Sequence, residues 1–488
     1  MSPLSTRLLT GLLASTLAAG CTLTPPPQTP QLVLEIGDMD RFQGADTATP
    51  VIAPLDPWWR QIGGEALDDW VGVLRRDSLS LREARLRVVQ AREQVGIVRS
   101  DSRPAVSLTG EATTSRRLGT NGKFSWSEGY SAGLHANFDV DVFGRLRASG
   151  RAIAYAEAAA DLSYRAAEQR EIAALTRNWI SAVALQRQLA LAVANADSFR
   201  TTFELTDGRY RAGSPSVSAS DVQIARQNLD TALIDIPNLA AQMGIQLLVI
   251  DEQLARLPGE SALEFSGSRL PMTNLDILVG QPVDLLSNRP DVAAAELVYL
   301  AALEDVGAAR ASFYPALSLS ASLTFQDETP EDLFDWDRHI ARLASALAQP
   351  VFAGGRLKAR LRLEQSRAEE LAAAYARTML AAVVDVEIAL ENLKGLAEQK
   401  ARLDAAVASA RLSNEIVQDR YRQGFASILA VLETQRSLNA AEQNLILIEQ
   451  ALANAQVDLF LSLGGDWSGV ADTTAGVPAS IPTNTSGD

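Results

Sequence analysis

The sequence predicts a mixed α and β protein made of two internal repeats, each a pair of strands followed by a long helical hairpin. Three observations predict it. Landmarks in the first half recur in the second at a separation of 211 residues: Pro104 falls on Pro315, Glu93 on Glu304, Gly96 on Gly307 and Arg99 on Arg310. Segments next to those prolines alternate with a period of two; Leu317, Leu319, Ala321, Leu323 and Phe325 interleave with Ser318, Ser320, Ser322 and Thr324. A third segment, rich in alanine, carries Ala382, Val386, Ala389, Leu393, Leu396, Leu403, Val407, Ala410, Val417 and Tyr421 at steps of three and four, with Lys400 and Asn414 in the two remaining places. That spacing is a heptad-like seam for packing against other helices.

The chain opens with a segment over 1–20 that reads as a signal peptide: Arg7, an apolar run from Leu8 to Ala19, then Gly20 before Cys21. LAAGC is similar to a bacterial lipobox, and Cys21 is the only cysteine in 488 residues. Lipidation at Cys21 is therefore expected, an ordinary cleaved signal with an incidental cysteine being the alternative. Residues 21–57 read as an extended, proline-containing leader with little regular structure. A helical pattern follows from about Glu65 to Ser100, broken near Asp77–Ser80.

The first repeat is expected over 58–250, with strands at 104–115 and 129–143 and long helices at 145–212 and 221–250. A linker at 251–287 leads to the second repeat over 288–465, with strands at 315–326 and 342–352 and helices at 356–422 and 428–463. Polar loops of about a dozen residues, including RRLGTNGKFSWSE and DETPEDLFDWDR, are expected to join each pair of strands. The separation of 211 persists to the helix ends, where Arg209, Tyr210, Arg211 and Gly213 fall on Arg420, Tyr421, Arg422 and Gly424. Beyond those glycines it becomes 209, so the first copy has two extra residues in its turn. The tail at 466–488 reads as disordered.

Composition narrows the function. The net charge of −15 argues against nucleic acid as a partner. Only His135 and His339 represent histidine, and no spacing suits a metal, a cofactor or a nucleophilic triad, so no catalysis is expected. After the first twenty residues no run of 18 or more apolar residues occurs. Amphipathic strands remain the route into a membrane, but four of them cannot close a barrel, for which about eight is the lower limit. Strands with open edges are not tolerated in lipid, so entry into a membrane requires oligomerisation. A soluble monomeric bundle is the alternative.

Four motifs carry a resemblance: PVDLLSNRPDVAAAE, VGAARASFYPALSLSASLT, DVDVFGRLR and the two RYRxG turns. On these the chain resembles the TolC-like outer-membrane factors of tripartite efflux systems, in their lipoprotein branch, from Cys21 to about Gly465. The resemblance implies the outer-membrane factor fold: a homotrimer with one twelve-stranded β-barrel in the outer membrane and a twelve-helix α-barrel in the periplasm of a Gram-negative bacterium. It implies a passive exit duct, no enzyme, joined by a periplasmic adaptor protein to an inner-membrane pump. It also places a periplasmic gate near the RYRxG turns, with Tyr421, Arg420, Glu433 and Asp221 as the matching residues. Three Glu433 carboxylates around a threefold axis would attract cations and resist anions. Asp139 and Asp141, alternating with apolar residues, are expected to face a water-filled lumen, with His135 on the same face. A periplasmic coiled-coil lipoprotein without a conduit is the rival reading.

Overall fold

The computed structural model describes residues 23–39, 42–43, 57–118, 122, 124–261 and 289–465. The signal segment, Cys21, most of the leader beyond 43, the linker after 261 and the tail lie outside the described residues. The chain divides into two compact units, one of residues 1–31, 86–162 and 293–378, the other of 32–85, 163–292 and 379–488. In order, the elements are α1 (Gln31–Gly37), α2 (Trp58–Asp77), α3 (Leu79–Ser100), β1 (Ala105–Leu118), β2 (Phe124–Val140), α4 (Arg145–Arg211) and α5 (Ala219–Gln253). There follow α6 (Pro290–Ala311), β3 (Ala316–Asp327), a 3-10 turn (Trp336–Arg338), β4 (Ile340–Ala348), α7 (Arg356–Arg422) and α8 (Ile428–Ser462).

In the first unit the four strands form one antiparallel sheet in the order β1-β2-β3-β4. Its register keeps one face apolar and one polar. Val106, Ala136, Ala321 and Leu343 lie in one cross-strand row, and Ser107, His135, Ser322 and Arg342 in the next. The apolar face is open: Leu108 is 76% and Leu343 85% exposed. Among the described residues neither β1 nor β4 has a second partner strand. The strands differ from expectation at their ends. β2 begins at Phe124 and stops at Val140, because Phe124 and Trp126 alternate with Ser125 and Ser127 and pair with Leu118 and Arg116 of β1. Only five residues therefore separate β1 from β2, and β4 ends at Ala348.

The passages between helix and strand have local causes. α3 and α6 stop short of Pro104 and Pro315, since the residue before a proline disfavours the helical region. Phe143, at the passage from β2 to α4, stacks on Tyr314, at the passage from α6 to β3, with ring centres 4.9 Å apart. Asp141, expected to face a lumen, instead caps α4: its carboxylate accepts the backbone N–H of Leu146 at 3.1 Å and of Arg147 at 2.8 Å. The start of the leader is fastened to α6. Thr24 donates to Glu304 at 2.7 Å, Arg151 donates to both oxygens of Glu304 at 2.8 Å, and Arg310 donates to the Leu23 carbonyl at 3.2 Å. The leader also departs from expectation in forming the seven-residue α1, whose Val33 and Ile36 are buried three apart on one face.

The second unit holds the larger core. Trp58, Trp59, Ile62, Leu67 and Leu74 of α2 pack with Ile172, Leu175 and Ile180 of α4, and with Ile250, Ile446 and Val457. The helix begins at Trp58, earlier than Glu65, because the two tryptophans are core residues: Trp58 stacks on Phe460 at 5.4 Å. The break falls at Ser78. The seam of α7 is real as a face. Ala382, Val386, Ala389, Val407, Asn414 and Tyr421 are buried and the other six positions half-buried, Lys400 included. At 67 residues, α4 and α7 are each about 100 Å long at 1.5 Å per residue. Although neither holds an unbroken run of 18 apolar residues, α5 and α8 are long and apolar enough to cross a membrane by length and composition alone. The relevant stretch of α5 is 6% buried, with Ile234 and Ile245 over 60% exposed.

Arg289 of the NRPD motif ties three elements together. Its guanidinium donates to both oxygens of Asp291 (3.0 and 2.7 Å), to Asp385 of α7 at 3.1 Å and to the Ser462 carbonyl of α8 at 3.2 Å. Burial pushes the Asp291 carboxyl up, but Arg289 outweighs it and holds it below the ordinary carboxylate range. Its stabilising effect is complete above about pH 4 and is lost as pH falls through the lowered folded value. Asp291→Asn should lower the thermal midpoint at pH 7 by a few degrees and flatten the loss of stability below about pH 4. An acid limb identical to that of the wild type in thermal unfolding would contradict this pairing.

Candidate functional site

The two RYRxG segments end α4 and α7 in the same way. Ser214 donates to the Arg209 carbonyl at 3.1 Å and Gly213 to that of Tyr210 at 3.0 Å; Phe425 donates to Arg420 at 2.7 Å and Gly424 to Tyr421 at 3.0 Å. Gly213 and Gly424 have φ of 75° and 86°, the left-handed conformation this helix ending needs. Each chain then re-enters a helix through a serine. Ser218 accepts the N–H of Asp221, and Ser427 that of Ala430. Asp221 returns the contact, its carboxylate accepting the Ser218 N–H at 2.8 Å. This capping box is closed in the first copy and lacks its acid in the second, where Ala430 stands.

The tyrosines of the two copies have different fates. Tyr421 is 4% exposed, and its hydroxyl lies 2.9 Å from that of Thr206 on α4, itself fully buried. Tyr210, its counterpart, is 45% exposed. The position matching Thr206 in the second copy is Val417, which offers no hydroxyl. Arg209 completes the clamp. Its guanidinium sits 4.7 Å from the Tyr421 ring centre and donates to the carbonyls of Tyr421 at 2.9 Å and Arg422 at 2.8 Å. A cation thus covers the negative end of α7 and the face of its last buried aromatic ring.

Behind this clamp, Phe199, Leu229, Ile428, Val431 and Leu432 form a small core around Tyr421. Gln435 of α8 donates at 2.9 Å to both Ser198 and Thr202. The other expected residues lie on the surface. Glu433 has a side chain 73% exposed and pairs with Arg436 at 3.2 Å. Arg420 is exposed and contributes its backbone carbonyl to the helix ending. Sequence reasoning missed Thr206, Arg209 and Gln435 as site residues. Thr202 and Thr206, four apart on one helical face, were the available signal. Among the described residues no group of three or more His, Cys, Asp or Glu side chains is placed to hold a metal. What the arrangement offers is mechanical: neutral hydroxyl and cation–carbonyl contacts that fasten one helical hairpin to the other.

The family profile described as "Outer membrane efflux protein" matches residues 70–256 and 282–465, covering both repeats. The chain belongs to the outer membrane efflux protein family. It is 28% identical over 479 residues to the pyoverdine export outer membrane protein OpmQ of Pseudomonas putida, covering 94% of this chain and 97% of that protein. The OpmQ of Pseudomonas aeruginosa is 30% identical over 428 residues, covering 84% and 87%. Among solved structures, the outer-membrane channel OprN superposes with a TM-score of 0.83 at 25% identity, over 92% of this chain and 100% of that one. This efflux protein therefore carries the family's fold along nearly its whole length.

The Tyr421–Thr206 contact should be visible in hydrogen exchange. Tyr421→Phe removes a hydrogen bond worth about 1 kcal/mol, so amides around 202–213 and 417–432 should exchange roughly fivefold faster. Tyr210→Phe should leave them unchanged. Equal protection in the wild type and the Tyr421 variant would mean that the contact holds nothing.

Proposed function

We propose that three copies of this efflux protein form the outer-membrane exit duct of a tripartite efflux or export system. In this reading the sheets close into one twelve-stranded barrel, and the long helices form a periplasmic tunnel met by an adaptor protein and an inner-membrane pump. The observation that supports it most is the open four-stranded sheet, with an exposed apolar face and two unpaired edges. The exposed apolar face of α5 supports it as well, since helix contacts from neighbouring copies would cover it. Lipidation at Cys21 adds an anchor at the outer membrane; Thr24, three residues on, is fastened to α6 through Glu304. Relatives bear names tied to different cargo, pyoverdine export for OpmQ and cation efflux for CusC of Escherichia coli, so cargo choice is assigned to the pump.

The gate is proposed at the helix turns, with Tyr421 as its latch on Thr206 and Arg209. Arg420 sets the turn through its carbonyl, and Asp221 fixes the entry to α5. Glu433, exposed and repeated by the threefold axis, supplies an acidic ring that favours cations. The test is single-channel recording of assembled trimers in a planar bilayer. Arg209→Ala combined with Tyr421→Phe should raise conductance several-fold, and Glu433→Ala should reduce cation preference with conductance little changed. Wild-type conductance in the double variant would sink the latch, and the absence of any channel would favour a coiled-coil spacer instead.

A further inference from the structure

The apolar face of the sheet ends, on the side of the strand-to-strand turns, in a cation that no carboxylate pairs with among the described residues. Tyr130, Ala132, Leu134, Ala136, Phe138 and Val140 share that face of β2. Ten residues at about 3.3 Å, tilted by about 40°, span roughly 25 Å, the height of a lipid-facing band. Trp126 lies four residues beyond Tyr130, roughly 10 Å farther out, at headgroup level. There Arg116, paired with Trp126 in register, lies 3.8 Å from the Phe124 ring centre and 5.5 Å from that of Trp126. Phe124 and Trp126 are 56% and 67% exposed. Among the described residues Arg116 has no carboxylate partner; Glu128, the nearest acid on that face, takes the Tyr130 hydroxyl at 3.4 Å on the bilayer side.

From this we infer that Arg116, Phe124 and Trp126 form a binding site for the phosphorylated sugar headgroup of an outer-leaflet glycolipid. The inference rests on the proposed barrel, which puts these strand ends at the outer surface and this face toward lipid. The chemistry fits both parts of such a headgroup. A guanidinium offers a planar fork to phosphate, and exposed aromatic rings offer an apolar face to sugar C–H groups. The rings hold the guanidinium over them, so little side-chain freedom is lost when phosphate arrives. An arginine aimed at hydrocarbon would be costly; at headgroup depth the cost falls to near zero, and a phosphate turns it into a gain.

Strand alternation supplies the control. Arg117, one residue on, pairs with Ser125 on the opposite, polar face. The full-length trimer, purified in detergent, is mixed with bisphosphorylated lipid A or with the same lipid stripped of both phosphates, and bound lipid is counted by native mass spectrometry. The wild type should hold the bisphosphorylated form about tenfold more tightly, Arg116→Gln should lose that preference, and Arg117→Gln should keep it. A wild-type trimer that binds both lipids equally overturns the site while leaving the barrel standing, as does an equal loss in the two arginine variants. A chain that neither trimerises nor takes up either lipid overturns the barrel reading, and the site with it.

Discussion

The rest of this structure depends on one constraint: a backbone N–H or C=O at the edge of a sheet must find a partner, and lipid supplies none. β1 and β4 are the outer strands of a four-stranded sheet whose apolar face is open. Such a sheet is stable in a bilayer only if its edges meet other edges. Closing by threefold repetition, as proposed, satisfies them with copies of the same chain and requires the helices that follow to repeat as well. The exposed apolar residues of α5 and the half-buried seam of α7 are then the surfaces along which those repeats pack.

Duplication built the subunit, and divergence at a few positions gave its halves different work. Both long helices end in the same arginine–tyrosine–arginine turn, with a left-handed glycine and a serine cap after it. One exchange is Thr206 against Val417: Tyr421 meets the Thr206 hydroxyl and is buried, while Tyr210 is exposed. Asp221 against Ala430 decides which re-entry into helix is boxed. The Tyr421–Thr206 pair is neutral and worth on the order of 1 kcal/mol, and each bond from the half-buried Arg209 cation about 1.5–3 kcal/mol, so the proposed latch is strong enough to bias a state and weak enough to release it.

Much of this was legible in the sequence because it is periodic. The constant separation of matching landmarks, the two-residue alternation of the strands and the seam of α7 are local or repeating signals, and each corresponds to a structural face. What escaped was either a pairing between distant residues or a local signal overruled. Thr206 and Tyr421 are far apart in sequence, and no period links them. Asp141 alternates with apolar residues as a strand residue would, but helix α4 starts within reach and takes its carboxylate as a cap. The first residues of β2 read in sequence as part of a polar loop, yet Phe124 and Trp126 alternate with Ser125 and Ser127 and pair with β1. α1 is short, and its two buried residues carry too little pattern to stand out from a proline-containing leader.

Threefold closure of the sheet is tested most directly by the mass of the particle released from membranes under mild detergent. Native mass spectrometry should find three chains, held together also when Cys21, the proposed site of lipidation, is replaced. A stable particle of one or two chains, still embedded through its strands, would contradict the account, because its sheet edges would face hydrocarbon unpaired.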